Sequence, residues 1–528
     1  MENGKWKMEN GLVAAPRTTH FPFSILHYPF SPMPSRASAL AELSSRVFDC
    51  LVIGGGITGA GIAREAAMRG LSVALIDKGD FASGTSSRSS RLIHGGVRYL
   101  EYGHLRLVFE ASAERRRLLR LAPHLVRPLA FTWPIYDGQR IPLWKINAGL
   151  TLYDALALFR NVGRHQLLNP GGIEAREPAL RTRLLNGGVR YFDAATDDAQ
   201  LTLANVVDAA ARGAVVANHV VFAGVERDAG DVRIARVWDA LSSDRFTVRA
   251  RMFVNATGPW SDNVRQLEGG RGGARVQGSK GAHIAVGRER IGNHDAVVML
   301  HPRDGRVLFA LPNGTQAIIG TTDTFTSASP DEVRANSADV EYLLEAANWF
   351  FPEAKLGRAD VVAAWAGIRP LVPTSGSEGS ASREHSIKRS RRGSVTITGG
   401  KLTTYRIMAR QTVDVAAEVL GARTRAAPTD IVPLPVAVES PGRDDAVPGL
   451  PFRRNVLRRA VDQEFACTLG DLLIRRTRAA FETRDNARGI ARRLLEVVSP
   501  MLGWDGARPS KELERYDAEV ERVFRIDP

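Results

Sequence analysis

Residues 47–77, VFDCLVIGGGITGAGIAREAAMRGLSVALID, constrain this chain more than any other segment. A β-branched apolar run, Val47 to Ile53, stops at Gly54-Gly55-Gly56-Ile57-Thr58-Gly59. A helical pattern follows, then Gly70 and a second apolar run, Leu71 to Ile76, that closes on Asp77. Strand, glycine turn, helix and parallel strand within about 30 residues form the βαβ unit of a dinucleotide-binding sheet. Gly54 permits the tight turn, Gly56 lets the backbone approach a pyrophosphate, and Gly59 lets the helix pack close to the strand. Ala63 lies on that packing face. The helix start offers unpaired N–H groups and a partial positive charge to phosphate. Asp77 ends the second strand where a carboxylate can accept hydrogen bonds from ribose hydroxyls. The unit alone leaves FAD and NAD both open.

At 528 residues the chain is long for one core and suggests about three domains. Its 44% hydrophobic and 24% charged residues are ordinary for a soluble globular protein. No run approaches the roughly 18 to 20 apolar residues that span a bilayer. Cys50 and Cys467 are the only cysteines, and Cys50 falls inside the first strand as a small hydrophobe, so a disulfide framework is not expected. A reducing cytosolic setting fits. The 71 Lys and Arg against 57 Asp and Glu give +14, a statement about partners and not about fold. Nucleic acid, anionic lipid and a phosphorylated substrate are competing readings, beside a generally arginine-rich surface. No basic block is interleaved with the stacking aromatics that single-strand binders need, so nucleic acid is not expected. The run Lys388-Arg389-Ser390-Arg391-Arg392 reads as a solvated turn before a strand at Ser394 to Thr398.

Residues 1–45 mix Pro, Ser, His and aromatics without steady periodicity, and lack the apolar core of a secretory signal. They read as an appendage, either disordered or preceding a true start at Met33. Helices are expected at Leu105 to Leu121, 201–212, Ala338 to Phe350 and Leu402 to Leu420. Short strands are expected over 214–255, including the meander VRIARVWDA and FTVRARMFV, and alternating segments over 281–323 suggest antiparallel sheet. The Pro, Gly and Asp stretch 428–451 reads as a linker, and 452–524 as an amphipathic helical module of its own. A parallel βαβ sheet, an antiparallel sheet inserted in it and a helical end make an α/β-plus-α+β architecture.

The motifs GGGITGAGIA (54–63), TSSRSSRLIHGGVRYLE (85–101), DDAQL (197–201), NATGPW (255–260), KGAHI (280–284), IIGTTD (318–323), GIRPL (367–371) and GGKLTTYR (399–406) follow one another over about 350 residues. Together they resemble the FAD-dependent, quinone-linked aerobic glycerol-3-phosphate dehydrogenases. RRAVDQEFACTLGDLLIRRTR (458–478) and LGW (502–504) resemble that family's C-terminal domain. Residues 1–45 have no counterpart in it, Asp77 stands where a Glu is common, and 165–185 and 421–451 are only loosely similar. The resemblance implies an α/β fold: a Rossmann-like FAD-binding domain of the glutathione-reductase and amino-acid-oxidase type, an inserted antiparallel-sheet substrate domain, and a C-terminal helical domain. Its expected segments are about 46–125, 190–262 and 360–427 for FAD, about 126–189 and 263–359 for substrate, and 452–528 for the helical domain.

The resemblance also implies FAD as the cofactor. Its expected contacts are Gly54, Gly55, Gly56, Ile57, Thr58 and Gly59 with Asp77 and Lys78. Thr85, Ser86 and Ser87 would add hydroxyls and N–H groups, while His94, Gly95 and Gly96 would meet the isoalloxazine ring. Ala256, Thr257 and Gly258 would form a second backbone contact. Gly400, Lys401, Leu402 and Thr403 open a helix whose N-terminal dipole favours negative charge on the flavin. For the substrate, sn-glycerol 3-phosphate, the resemblance points to His283 as base; Arg369 and Lys401 complete the catalytic set, and Lys401 would also bind substrate, holding its hydroxyl or the flavin as a point charge. A neutral His accepts the hydroxyl proton at pH 7. Arg98 with Tyr99, Arg369 and Arg383 would bind the phosphate, since guanidinium forks suit a dianion. No metal is expected. The implied electron acceptor is membrane quinone, with peripheral attachment of a cytoplasmic protein to anionic lipid, to which Arg453, Arg454, Arg458 and Arg459 would contribute, and with homodimerisation left open. Oxygen as acceptor, an amine or amino-acid oxidase, a flavin-dependent RNA-modifying protein and a non-catalytic flavin subunit are the alternatives.

Overall fold

Strands Val47–Ile53 and Val73–Ile76 run parallel, with Val52 opposite Leu75, and helix Ile57–Met68 joins them in the computed structural model. The structure describes residues 8–9, 12–13 and 33–528, apart from 101–102, 140, 159–160, 227–229, 271–275, 373–383, 391–392 and 437–445; the side chains of Arg98 and Tyr99 also lie outside that description. Val73–Ile76 is buried throughout, as a strand covered on both faces must be. Val47–Ile53 pairs on its other side with Arg245–Asn255, also in parallel, and that strand pairs in parallel with Val395–Gly399. Val215–Ala217 extends the sheet beyond Val73–Ile76. The expected meander is present as Val220–Val225, Arg233–Asp239 and Arg245–Asn255.

Lys388 and Arg389 do not lie in a turn. They end strand His385–Arg389, antiparallel to Val395–Gly399, and stay exposed. Ile387 packs toward the core while the charged heads remain in water, so backbone pairing prevails over local polarity. Arg391 and Arg392 lie outside the described residues.

The second sheet is mainly antiparallel. Gln277–Gly287 pairs along its length with Val361–Leu371 and partly with Gln316–Gly320, and Val307–Asn313, Ala296–Leu300, Val126–Tyr136 and Leu185–Thr196 follow in order. The segment boundaries expected at 190 and 360 are therefore displaced: Leu185–Thr196 and Val361–Leu371 both belong to this sheet, and Leu92–Ile93 pairs with the former. Alternation identifies a strand without saying which sheet it joins.

Helix Leu105–Leu121 falls where expected. The helix expected from 201 begins at Asp198, because the Asp197 side chain accepts from the Gln200 N–H at 2.8 Å and caps it. Ser337–Phe350 starts on a capping box formed by Asn336 and Asp339. Tyr405–Leu420 follows a 3₁₀ turn at Leu402–Thr404 and ends on left-handed Gly421.

The appendage expected to reach residue 45 is shorter. Arg36–Ser45 is a helix capped by Ser35; Ala39 and Leu43, one turn apart, are buried against the first sheet, and Arg36 pairs with Asp239 at 2.7 Å. Two buried positions within a single ten-residue stretch are too weak a period to read from sequence. Residues 1–33 are a unit by themselves, in which Met8–Glu9 pairs antiparallel with Leu12–Val13.

Beyond 452 the chain is helical, with Arg454–Asp462, Arg488–Leu502 and Arg508–Phe524, but it is no free-standing body. Leu472, Phe481, Tyr516 and Phe524 share one apolar cluster with Phe131, Tyr191 and Trp365 of the second sheet. Ion pairs reinforce the contact: Asp80 accepts from both Arg475 and Arg476, and Arg478 pairs with Asp197 and Asp198. Leu434, inside the stretch expected to be a linker, is buried and donates its N–H to the Leu121 carbonyl at 2.8 Å.

Candidate active site

A cavity of about 950 Å³ is lined from both sheets. Gly54, Gly56, Ile57 and Thr58 line one end with Asp77, Ser86, Ala256, Thr257 and Gly258. Gly54 has φ +103°, and a Cβ there would lie 2.8 Å from the Ala256 carbonyl oxygen, so only glycine fits this crossing. Helix Ile57–Met68 starts on Gly56 with no side-chain cap. Gly55 and Gly59 do not face the cavity. A Cβ on Gly59 would lie 1.8 Å from the Gly54 carbonyl oxygen, and one on Gly55 would lie 2.4 Å from Phe81; both glycines serve close packing behind the loop.

Asp77 faces the cavity and braces the loop, accepting from the Gly55 N–H at 2.6 Å and the Gly79 N–H at 2.9 Å. Burial raises its pKa to about 6. Lys78 lines the rim, where Asp331 holds its Nζ at 2.7 Å and the Trp260 ring lies beneath it at 4.5 Å. Its charge is thereby matched by a carboxylate across the rim.

Thr85 and Ser86 line the cavity; Thr85 Oγ1 donates to the Ile368 carbonyl at 2.7 Å, and Ser86 Oγ accepts from the Ile57 N–H at 3.0 Å. Ser87 is buried off the cavity, because the short 3₁₀ turn Thr85–Ser87 rotates it away. His94 and Gly96 line the wall, and Gly95 sits behind it: its N–H donates to Asp193 at 3.1 Å, and a Cβ would lie 2.2 Å from the Tyr153 hydroxyl. Thr403 also stands behind, its hydroxyl bridging the His94 N–H and carbonyl at 3.1 Å each. Gly400, Lys401 and Leu402 line the wall. Gly400 has φ +86° and lies against Met408, where a Cβ would come within 2.4 Å of the sulfur.

The far end gathers His283 and Arg369. His283 is 2% exposed, stacks on Trp365 with ring centroids 5.5 Å apart, and is 2.8 Å from Ser90 Oγ through Nε2. Gly320 on the neighbouring strand makes room for it, since a Cβ there would lie 2.3 Å from the ring. Burial, then the charges of Arg369 and Arg91, lower its pKa to about 3, so the imidazole is neutral at physiological pH. Arg369 lies across Gly281 and reaches Thr321 Oγ1 at 3.0 Å and Asp323 at 3.3 Å. Arg383 and the side chains of Arg98 and Tyr99 lie outside the described residues. Sequence reasoning missed Ser90, Arg306, Thr321 and Asp323, which complete this end. Ser90, Thr321 and Asp323 stand inside the matching motifs; Arg306, in a hairpin, carried no signal.

The glycine crossing, the helix start on side-chain-free Gly56 and the braced acidic residue fit the phosphates and sugar of a dinucleotide, and the cavity continues from them to the imidazole. Residues 49–414 match the FAD dependent oxidoreductase family, and residues 408–509 match the C-terminal domain of alpha-glycerophosphate oxidase. A glycerol-3-phosphate dehydrogenase of Mycobacterium leprae is 35% identical over 92% of this chain and 90% of its own length. The aerobic glycerol-3-phosphate dehydrogenase of Staphylococcus saprophyticus is 37% identical over 72% of this chain and 68% of its own. Among solved structures, the glycerol-3-phosphate dehydrogenase of Bacillus halodurans complexed with FAD aligns with a TM-score of 0.75 and 29% identity, covering 92% of this chain and 97% of that one. A family match across more than half the sequence and relatives of one kind along nearly all of it settle membership: the chain belongs to the FAD-dependent oxidoreductases, in their glycerol-3-phosphate dehydrogenase branch.

Proposed function

We propose that this chain oxidises sn-glycerol 3-phosphate to dihydroxyacetone phosphate and passes the electrons to membrane quinone. The observation that carries the oxidation is a buried neutral imidazole, hydrogen-bonded to a cavity hydroxyl, on the same wall as Arg369. FAD, when bound, supplies the hydride acceptor. Arg369 fixes the phosphate, and His283 Nε2, beside Ser90 Oγ, receives the secondary hydroxyl proton. The low basicity of this imidazole is part of the arrangement. Burial is the larger cause of the depression; a bound dianion offsets the smaller part due to the arginine charges, so the proton affinity rises in that measure when substrate is in place. The experiment is anaerobic mixing with sn-glycerol 3-phosphate: the visible flavin band is expected to bleach as dihydroxyacetone phosphate forms, and a band indifferent to this ligand overturns the reading.

The pH profile follows from the same geometry. His283 stays neutral in the free protein down to about pH 3, so its protonation does not produce an acid limb near 6.5. The limb in kcat/KM is expected near pH 6, where the substrate phosphate takes up its second proton. A phosphonate analogue with a higher second ionisation should move that limb upward. A limb that stays fixed would belong to a group on the protein.

The quinone and membrane part of the proposal draws on the cavity's apolar flank. Ala148, Gly149 and Leu152 of helix Leu143–Leu156 line it with Phe131, Ile146 and Phe309. Trp144 on this helix is 72% exposed, and Leu105 and Phe109 of helix Leu105–Leu121 and Leu158 just beyond helix Leu143–Leu156 are exposed as well. Such exposed apolar side chains suit an interfacial helix at the cytoplasmic membrane face. Among the described residues no helix is long and apolar enough to cross a membrane. Of the basic tail, Arg459 is paired with Glu464 at 3.0 Å. Flotation with anionic liposomes is expected to depend on Trp144, and reoxidation of the reduced protein is expected to be faster with quinone in those vesicles than with oxygen. The opposite order would make it an oxidase.

A further inference from the structure

Five hydroxyls stand in the run Thr85-Ser86-Ser87-Arg88-Ser89-Ser90, and the fold accounts for four of them. Thr85 donates to the Ile368 carbonyl, Ser86 accepts from the Ile57 N–H, and Ser87 is buried off the cavity. Ser89 Oγ donates to Asp198 at 2.6 Å and accepts from the Arg91 N–H at 3.0 Å. Those two contacts hold Arg91 at φ +55°, a conformation that a non-glycine residue keeps only where its surroundings fix it. Ser90, just before this bend, is the fifth. It lines the cavity half-buried, its Oγ is 2.8 Å from His283 Nε2, and among the described residues that hydroxyl makes no other hydrogen bond.

The imidazole has no second polar contact to use. Trp365, opposite His283 on one neighbouring strand, stacks on the ring, and Gly320, opposite it on the other, lies against Cδ2. Nδ1 is buried without a hydrogen-bond partner. The charges that face the ring are Arg369 on the cavity wall and Arg91, whose guanidinium stands 5.8 Å from the Trp365 ring. Nε2 is thus the ring's one hydrogen-bonding nitrogen, and Ser90 Oγ already occupies it.

We propose that Ser90 is a catalytic residue, carrying the proton between the substrate hydroxyl and His283. The proposal rests on the oxidation read above and names the path of its proton. A serine hydroxyl has one proton to give and two lone pairs that accept. While it donates to Nε2, Oγ keeps a lone pair for a secondary hydroxyl in the cavity. As the carbinol C–H bond breaks and its electron pair leaves as hydride to the flavin, the substrate O–H proton moves to Oγ. The proton already on Oγ moves to Nε2, and the carbon–oxygen bond becomes the carbonyl. Ser90 ends neutral, the imidazole holds the proton, and no further reactant is required. The path needs a free lone pair on Nε2, as the base role of His283 already does, so the ring proton sits on Nδ1.

The test uses the FAD-loaded protein. In histidine ¹⁵N spectra, assigned by loss of the signals in His283→Asn, Nε2 is expected to be an unprotonated acceptor that loses its hydrogen bond in Ser90→Ala. A proton on Nε2 in the parent overturns the relay, and this measurement needs no turnover. Ser90→Ala is expected to slow flavin reduction by sn-glycerol 3-phosphate about 10²-fold or more with unchanged flavin content. The substrate concentration for half-maximal reduction should change less than about tenfold, the worth of one neutral hydrogen bond. Ser90→Ala combined with His283→Ala should be about as slow as the slower single variant, since one path is cut twice. Losses that multiply would make the two residues independent and overturn the relay. Ser90→Thr keeps a hydroxyl and should recover most of the rate; if it is as slow as Ser90→Ala, Ser90 is a prop and no carrier. A parent protein that sn-glycerol 3-phosphate fails to bleach refutes the oxidation and the relay with it, whereas a bleaching parent with an equally fast Ser90→Ala variant refutes the relay alone.

Discussion

Replacing His283 with alanine is expected to slow flavin reduction by sn-glycerol 3-phosphate about 10²- to 10⁴-fold while FAD stays bound. The imidazole is the one buried neutral nitrogen base placed at the Arg369 end among the described residues, with Nε2 against the cavity hydroxyl of Ser90. Its Nδ1 is buried and makes no hydrogen bond among the described residues, so the ring is held by stacking on Trp365 and by the Ser90 contact, not by a second acceptor. His283→Asn retains a polar side chain without a usable base and should be as slow as alanine. Stopped-flow bleaching at the parent rate in either variant would remove the histidine from the chemistry. An independent readout is acid stability. The folded-state pKa is depressed below the unfolded 6.5, so the unfolded chain binds the extra proton first. His283 therefore costs stability progressively as the pH falls from about 6.5 toward 3, and the alanine variant should lose stability less steeply over that window.

Asp80→Ala is expected to destabilise the protein by about 3–5 kcal/mol, the cost of leaving buried guanidiniums without their counter-charge. Asp80 is fully buried between Arg475 and Arg476, and Asn218 donates to its second oxygen at 2.8 Å. Arg475 keeps Asp471 at 3.0 Å and Glu519 at 2.8 Å, but the Arg476 guanidinium then retains only the Glu464 carbonyl among the described residues. Asp80 also belongs to the loop that begins at Asp77 and lines the cavity at Ser83 and Gly84. Loosening the C-terminal helices should therefore loosen the cofactor as well. Chemical denaturation should show an earlier midpoint together with faster flavin release. A shift below about 1 kcal/mol would mean that Arg476 is solvated without Asp80. A shift with unchanged flavin release would uncouple the loop from the helical end.

The glycine crossing was legible because its requirement is local: Gly54, Gly56 and the strand–helix–strand order answer to backbone geometry within one unit. Helix Leu105–Leu121 was legible for the same reason, since its period is written in consecutive turns. Ser87, Gly95 and Thr403 were placed in the right segments but on the wrong side of the wall, because a turn's rotation is fixed by what packs behind it, here Asp193, Tyr153 and the His94 backbone. Lys78 lines the cavity where the βαβ unit implies, but its pairing with Asp331, more than two hundred positions away, is not written in the chain order. Helix Arg36–Ser45 escaped notice because two buried residues secure it against a sheet the local sequence does not contain.

The amino-acid sequence by itself determined that a dinucleotide sits on a parallel βαβ unit, and its dispersed motifs pointed to the flavoprotein branch the comparisons bear out, since both depend on residues whose spacing along the chain is their geometry. Only the tertiary structure decided which strands share a sheet, that the helical end is welded to the core, and that Arg306 and Asp323 meet Arg369. Those choices depend on charges and apolar faces brought together from distant positions, and chain order carries no record of such distances.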